Sequence, residues 1–340
     1  MSLEYFIDIR FGDPVLSLSM NSYGLLYGSS IGRILFYTFH VQQEHVIAEF
    51  SEECIRGCYV TNENALYIAV GDRYCIAMTS PTSHKQLVHH DLQHVDEICL
   101  SSQVMMKEDL VCIVPLSESS TEGVVLTHIS TFIKKKYPML PFKPHSVPYD
   151  FDGDRMLWME WEGKIRNFKF FDFLAAETKN IVSFHKNFGQ IGMCKLVQGL
   201  LVFVKDFRVI MAYELANGKE KGVVGKHRSD IVALNWVKVR DRNCGNKDQQ
   251  AVENGNDEKV LYISIDYNCN ICIWEFGTCL YRFNITDFAE LTTEYKQEFY
   301  FTMGYPYFLT VHDRRIAFST DIGVLVASIP YLSQVSIITD

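Results

Sequence analysis

The chain has 340 residues, 48% hydrophobic and 21% charged, which is enough apolar material for a substantial core and excludes a disordered tail. Its 32 Lys and Arg against 41 Asp and Glu leave a formal net charge of -9, so no overall field draws polyanions and nucleic acid is not an expected partner. The opening MSLEYFIDIRFGD sets acids among apolar residues and lacks the basic flank and apolar run of a secretory signal, so a cytoplasmic location is expected.

The longest apolar runs, such as GLLVFV at 199–204, fall far short of the roughly 20 residues that cross a bilayer, and no membrane insertion is expected. Ten cysteines scattered through a large apolar chain read as reduced, mostly buried thiols rather than a disulfide framework.

In chain order, EYFIDIRF (4–11) is an unassigned strand. It precedes VLSLSM (15–20), GLLYGSS (24–30), RILFYTF (33–39) and HVIAEFS (45–51), four β-rich runs joined by turn residues that read as one antiparallel meander. The same order returns as IRGCYVT, ALYIAVG, YCIAMTS and KQLVHHD. It returns again as EICLSSQVM, DLVCIVPLS and GVVLTHIST with a Pro-rich fourth element around 137–142. Two further units are HSVPYDF, RMLWMEWE, KIRNFKFFDF, NIVSFH and IGMCKLV, GLLVFVKD, RVIMAYEL, GKEKGVVG.

The second strands begin near Leu25, Ala65, Asp109, Arg155 and Gly199, a period of about 40 to 46 residues, the length of a four-stranded propeller blade. A sixth unit combines DIVALNWVKV, a polar insertion at about 240–258, then KVLYISID, NICIWEF and TCLYRFN. A short helix is expected at about 287–298, and FLTVHD, RIAFSTD and VLVASIP make a seventh unit without a fourth strand.

The expectation is an all-β chain, a single domain over 1–340 forming a seven-bladed β-propeller of four-stranded antiparallel blades, closed by the N-terminal strand. The C-terminal SQVSIITD competes for the closing slot. Tandem sandwiches, or an eight-stranded barrel with a second domain, are alternatives, but neither predicts one period throughout.

The sixth unit carries the most specific residues: Gly225-Lys226-His227 before the first strand, then Ser264-Ile265-Asp266-Tyr267-Asn268, then Ile273-Trp274. This resembles a WD-repeat blade. The resemblance implies a buried hydrogen-bonded chain of His227, Ser264, Asn268 and Trp274, with Asn268 where the family places an acid and Asp266 two residues earlier. His94 resembles the same entry position in the third unit. The resemblance further implies a cytoplasmic, cytoskeletal or ciliary complex, or an adaptor complex.

Other candidates are weighed against simpler readings. Cys269, Cys272 and Cys279 offer one CxxC without a second, so no metal site is expected. Asp150, Asp152 and Asp154 misplace the glycine of a calcium loop and read as a solvated turn. Lys134, Lys135 and Lys136 form the only basic triplet and read as a solvated loop that a partner can touch. Arg314-Arg315 is followed by Ile316 rather than glycine, which departs from the paired-arginine pattern of phosphoinositide-binding propellers. His89, His90 and His94 have no nucleophile and acid arranged around them in sequence.

No GxxxxGK or HExxH occurs, and the chain is read as a non-enzymatic scaffold with no cofactor. Its expected partners are other proteins of a multisubunit complex, and nothing in the pattern implies a homo-oligomer. Tyr305, Tyr307, Phe170 and Phe171 are candidate partner anchors among the aromatic residues, most of which belong to the core. Two other readings remain open: an enzyme or small-ligand binder using a central channel, and a membrane-surface phosphoinositide reader.

Overall fold

A computed structural model gives the fold. It describes residues 6–10, 14–50, 54–70, 74–78, 88–91, 102–115, 123–131, 133–137, 146–241, 258–285, 308–319, 323–329, 331–332 and 335–338. The expected helix at 287–298 lies outside these residues, as does His94.

Strand β1 spans Phe6–Arg10. The first meander is β2 (Val15–Met20), β3 (Gly24–Ser29), β4 (Arg33–Thr38) and β5 (Gln43–Glu49), and the second is β6 (Ile55–Val60), β7 (Leu66–Val70), β8 (Tyr74–Met78) and β9 (Val88–Asp91). The third comprises β10 (Ser102–Lys107), β11 (Leu110–Pro115), β12 (Val124–His128) and β13 (Lys134–Tyr137). The fourth comprises β14 (Val147–Phe151), β15 (Arg155–Glu162), β16 (Ile165–Asp172) and β17 (Glu177–His185).

Next come β18 (Ile191–Val197), β19 (Leu200–Lys205), β20 (Val209–Glu214) and β21 (Glu220–Lys226), then β22 (Ile231–Asp241), β23 (Glu258–Asp266), β24 (Asn270–Glu275) and β25 (Thr278–Asn284). The last strands are β26 (Leu309–His312), β27 (Arg315–Ser319), β28 (Gly323–Ser328) and β29 (Val335–Ile338).

Among the described residues these strands form six four-stranded sheets and one of five strands. Four-stranded antiparallel meanders that follow one another along a chain are the blades of an all-β propeller. The chain divides into two compact units, residues 16–206 with 212–221, and residues 1–15 with 207–211 and 222–340.

Both chain ends are placed by strand pairing. Strand β1 pairs antiparallel with β28, Phe6 facing Ala327 and Arg10 facing Gly323, and supplies the fourth strand that the final sheet lacks. Strand β29 instead pairs with the far end of β22, Lys238 facing Ile338 and Asp241 facing Val335. The two terminal segments therefore do not compete for one edge, because β22 is 11 residues long and offers free backbone beyond its blade.

Two boundaries differ from those expected. The fourth strand of the third sheet is β13, Lys134–Tyr137, rather than a Pro-rich element at 137–142. An outer strand faces solvent on its free edge, and lysines there discourage pairing with another chain. The insertion is also shorter than 240–258: Arg240 faces Glu258 across the β22–β23 ladder, and their side chains pair at 2.8 Å. Lys238 reaches the same carboxylate at 2.7 Å.

Only residues 242–257 separate the two strands, and they lie outside the described residues. Because loop-closure entropy changes slowly with length, replacing 242–257 by Asn-Gly is expected to alter stability by less than about 1 kcal/mol. A urea titration followed by circular dichroism checks this.

Alternating side chains of each sheet feed cores on its faces. One cluster joins Leu26, Ile34, Phe36, Ile55, Ile68 and Val70. Another joins Cys112, Val124, Phe151, Met156, Trp158 and Phe171, and a third joins Val237, Leu261, Ile271, Ile316, Phe318 and Leu325. Glycine allows the closest approach: a Cβ on Gly28 of β3 would lie 2.2 Å from Ile55 Cγ2.

Polar side chains on first strands also bond the backbone of the following sheet's first strand. The Val60 amide donates to Ser19 Oγ at 3.0 Å, Gln103 Nε2 to the Pro148 carbonyl at 3.4 Å and the Leu196 amide to Asp150 Oδ2 at 2.8 Å. Asn235 Nδ2 donates to the Leu309 carbonyl at 2.6 Å. The first three contacts span 41, 45 and 46 positions, matching the sequence period, and the fourth spans 74. The longer span contains the 242–257 insertion.

Four of the first strands have a second feature. Their registers shift at Ile55/Gly57, Pro148/Asp150, Gly192/Lys195 and Ile231/Ala233, bulges that increase local twist.

Candidate functional site: a sealed polar network and the exposed edges

Period-two alternation puts Ser264 and Asp266 on one face of β23. His227 enters just after β21, its amide held by the Arg208 carbonyl at 3.0 Å, and its ring drops between them. Nδ1 lies 2.9 Å from Asp266 Oδ2 and Nε2 lies 2.6 Å from Ser264 Oγ. Trp274 of β24 donates Nε1–H to Ser264 Oγ at 2.8 Å.

The carboxylate selects the Nδ1–H tautomer, so the serine hydroxyl donates to Nε2 and accepts from the tryptophan. His227, Ser264, Asp266 and Trp274 are all buried. Gly225 makes room for the indole, since a Cβ there would sit 2.5 Å from Trp274 Cδ2.

The carboxylate in this chain belongs to Asp266 and not to Asn268. Asn268 sits in the turn after β23, where its amide donates to Asp266 Oδ1 at 3.0 Å. Asp266 also accepts from the Asn270 amide at 2.9 Å and from Asn270 Nδ2 at 3.0 and 3.1 Å. One side chain thus orients the histidine and ties the turn. The two-residue spacing from Ser264 is the sequence signal for it, because residues two apart on a strand share a face and Asn268 falls beyond the strand end.

Serine, histidine and aspartate stand in the order of a nucleophilic triad. Ser264 is 0% exposed and accepts the tryptophan N–H, so a substrate carbonyl has no approach to its oxygen. The arrangement's chemical capacity is to fasten three strands.

Burial tends to raise the Asp266 carboxyl, but hydrogen bonds from His227 and from the Asn270 amide and side chain outweigh it and hold it below the ordinary 3.8. A depressed folded-state value makes the stabilisation complete above pH 3.8 and lost as pH falls through the lower folded value. Asp266→Asn, which removes the titrating group, is therefore expected to melt below wild type at pH 7. The gap should narrow as the medium is acidified below 3.8, and thermal melts across pH check this.

The remaining candidates separate into buried, exposed and undescribed. Phe170 and Phe171 are only 6% and 7% exposed and are not rim anchors. They lie on β16 between β15 and β17, point to opposite faces, and meet covered surface on both. Phe171 packs against Tyr137 and Phe173 at ring separations of 5.4 and 5.2 Å, and Lys179 lies over Phe170.

Tyr305 and Tyr307 lie outside the described residues. Lys134, Lys135 and Lys136 belong to strand β13 and not to a loop. Lys135 and Lys136 are exposed, and the Lys135 ammonium lies 5.0 Å from the Tyr137 ring centroid.

Cys269 occupies the turn at φ 61°, Cys272 lies on β24 and Cys279 is exposed on β25. Burial pushes the Cys269 thiol up to about 12 and the Cys272 thiol up to about 11, which keeps both protonated at neutral pH. Among the described residues no group of three or more His, Cys, Asp or Glu is placed to hold a metal ion, and no helix is long and apolar enough to cross a membrane. Asp152 pairs with Arg155 at 2.8 Å and Asp150 with Lys195 at 3.0 Å.

No family model matches the chain and no curated protein matches it. Among solved structures 1174 chains do. The computationally designed Ika8 protein aligns with a TM-score of 0.55 at 11% identity over 96% of this chain and 98% of its own. A chain of the mitotic checkpoint complex aligns at 0.57 with 9% identity over 96% and 92%. YCF48 bound to D1 peptide aligns at 0.61 with 7% identity over 96% of both chains.

The chain is a β-propeller. Identities this low carry the fold alone, and a fold so widely shared selects no activity by itself.

Proposed function

We propose that the protein is a non-enzymatic scaffold that docks other proteins of a multisubunit assembly on the edges of its blades. The observation that carries this reading is how its polar groups are used. The buried Ser-His-Asp network is sealed around His227, Ser264 and Asp266 and serves the blade, while exposed aromatic and cationic side chains lie at strand ends.

Rigid sheets hold such groups at set angles, so a partner meets a preorganised surface and less ordering entropy opposes association. Two structural neighbours are consistent with the role, one within the mitotic checkpoint complex and one bound to a peptide.

The same proposal takes the chain as one domain of seven blades, counting the five-stranded sheet as a blade with an added strand and β1 as the closing strand. The His227, Ser264 and Trp274 network supports membership in the WD-repeat group. A cytoplasmic place in a cytoskeletal, ciliary or adaptor complex rests on that resemblance alone. Affinity purification of the tagged full chain, followed by mass spectrometry, is expected to recover stoichiometric companion proteins. Recovery of the chain by itself would overturn the reading.

A further inference from the structure

Resting on the scaffold reading, we propose that the far end of the β14–β17 sheet is the docking site for an acidic linear segment of a partner protein. Strands β15, β16 and β17 run to 8, 8 and 9 residues, against 5 to 7 in the described second, third and fourth strands of the first sheet and in β6, β7 and β8. The added length carries the Glu162–Ile165 turn beyond the hydrophobic core. On it Trp161 is 40% exposed and Ile165 43% exposed, two large apolar groups that the core does not use.

Four cations gather there. The Lys186 amide donates to the Lys164 carbonyl at 2.7 Å, which sets the two lysines side by side on neighbouring strand ends. Both are exposed. Arg166 is only 5% exposed. Its guanidinium stacks over Trp161 at 5.1 Å and donates to the Gly189 carbonyl and, at 3.3 Å, to that of Lys186. Its Nε is buried without a hydrogen-bond partner. Lys205 lies 4.1 Å over Phe188 of the same turn.

Among the described residues none of these four forms an ion pair. In contrast Lys169, Lys179, Lys195 and Arg155, elsewhere on the same and the following sheet, each hold a carboxylate. The two acids close by are already engaged: Glu162 accepts from Asn167 Nδ2 and Asp206 from the Gln190 amide.

A net cationic spot in a chain of net charge -9 selects for a short run of carboxylates. An extended polyanion would meet the repelling field of the remaining surface. Trp161, on the same face as Arg166, provides the apolar contact that converts electrostatic attraction into a seated complex, tryptophan and arginine being the residue types most often dominant at such sites. The partner segment therefore carries an apolar side chain beside its acids.

The test uses the full chain and a fluorescein-labelled peptide, Asp-Glu-Leu-Glu-Phe-Glu, read by fluorescence polarisation. Binding is expected, weakening as salt rises from about 50 to 200 mM, and at least about tenfold weaker in the variant Lys164→Glu/Lys186→Glu. Trp161→Ala should weaken it without steepening the salt dependence. The control Lys135→Glu/Lys136→Glu, on another sheet, should bind as wild type does.

Equal binding by the Lys164→Glu/Lys186→Glu variant, no binding by wild type, or tighter binding to phosphatidylserine vesicles or single-stranded DNA would each overturn the proposal. The two readings fail differently. If companion proteins copurify equally with wild type and variant, this docking site is wrong and the scaffold stands. If none copurifies with wild type, the scaffold itself falls.

Discussion

Replacing Trp274 by alanine is expected to lower stability by about 3–5 kcal/mol, the range for emptying a buried aromatic site. The indole is 5% exposed, lies edge-on to the His227 ring at 5.6 Å and rests where Gly225 leaves space. Alanine therefore opens a cavity and also strips Ser264 Oγ of its donor in a place where water does not replace it.

Those two losses are coupled, so Ser264→Ala should cost markedly less in the Trp274→Ala background than in wild type. Urea denaturation of the four proteins, followed by circular dichroism, reads both effects. A Trp274→Ala variant as stable as wild type would mean that the network does not hold the blade together.

A comparable loss is expected from the opposite change at Gly28, where substitution by valine should cost about 3 kcal/mol or more through overpacking. The first added carbon would fall 2.2 Å from Ile55 Cγ2, 2.5 Å from Ile55 Cβ and 2.8 Å from Ser17 Oγ. None of these neighbours is the free end of a flexible chain: Ile55 is fully buried and opens the next sheet. The sheets must part or β3 must shift, and either motion loosens the Leu26, Ile34 and Ile68 cluster.

Shortening the obstacle provides the check. Gly28→Ala, milder at about 1–3 kcal/mol, should cost markedly less in an Ile55→Gly background, which removes both Cγ2 and Cβ, although Ile55→Gly is itself destabilising. Strictly additive costs would show that the clash is relieved some other way.

Strand order was largely legible because alternation and turn residues act locally. VLSLSM, GLLYGSS and RILFYTF begin where β2, β3 and β4 begin. Strand β13 escaped because three lysines carry no apolar alternation, and only the ladder from Val124 to Tyr137 reveals an edge strand.

Phe170 and Phe171 were misjudged for a different reason. Adjacent strand residues face opposite ways, and nothing in a linear pattern states that both faces of that sheet are covered. Asp266 was within reach of the two-residue spacing from Ser264, whereas aligning on the turn pointed to Asn268. Arg166 was not legible at all. Its burial depends on carbonyls 20 and 23 positions away, and a charged residue on an alternating strand reads as solvated until those partners are known.

The pairing of β1 with β28 has a temporal side. Phe6 meets a partner roughly 320 positions later, and at about 5–20 residues per second a ribosome delivers that partner on the order of tens of seconds after the first strand has emerged. Until then FIDIR is an unclaimed adhesive edge on a nascent chain, and the final blade is the last to be finished whatever the speed of the others. Premature termination anywhere before residue 323 leaves β1 without its partner strand.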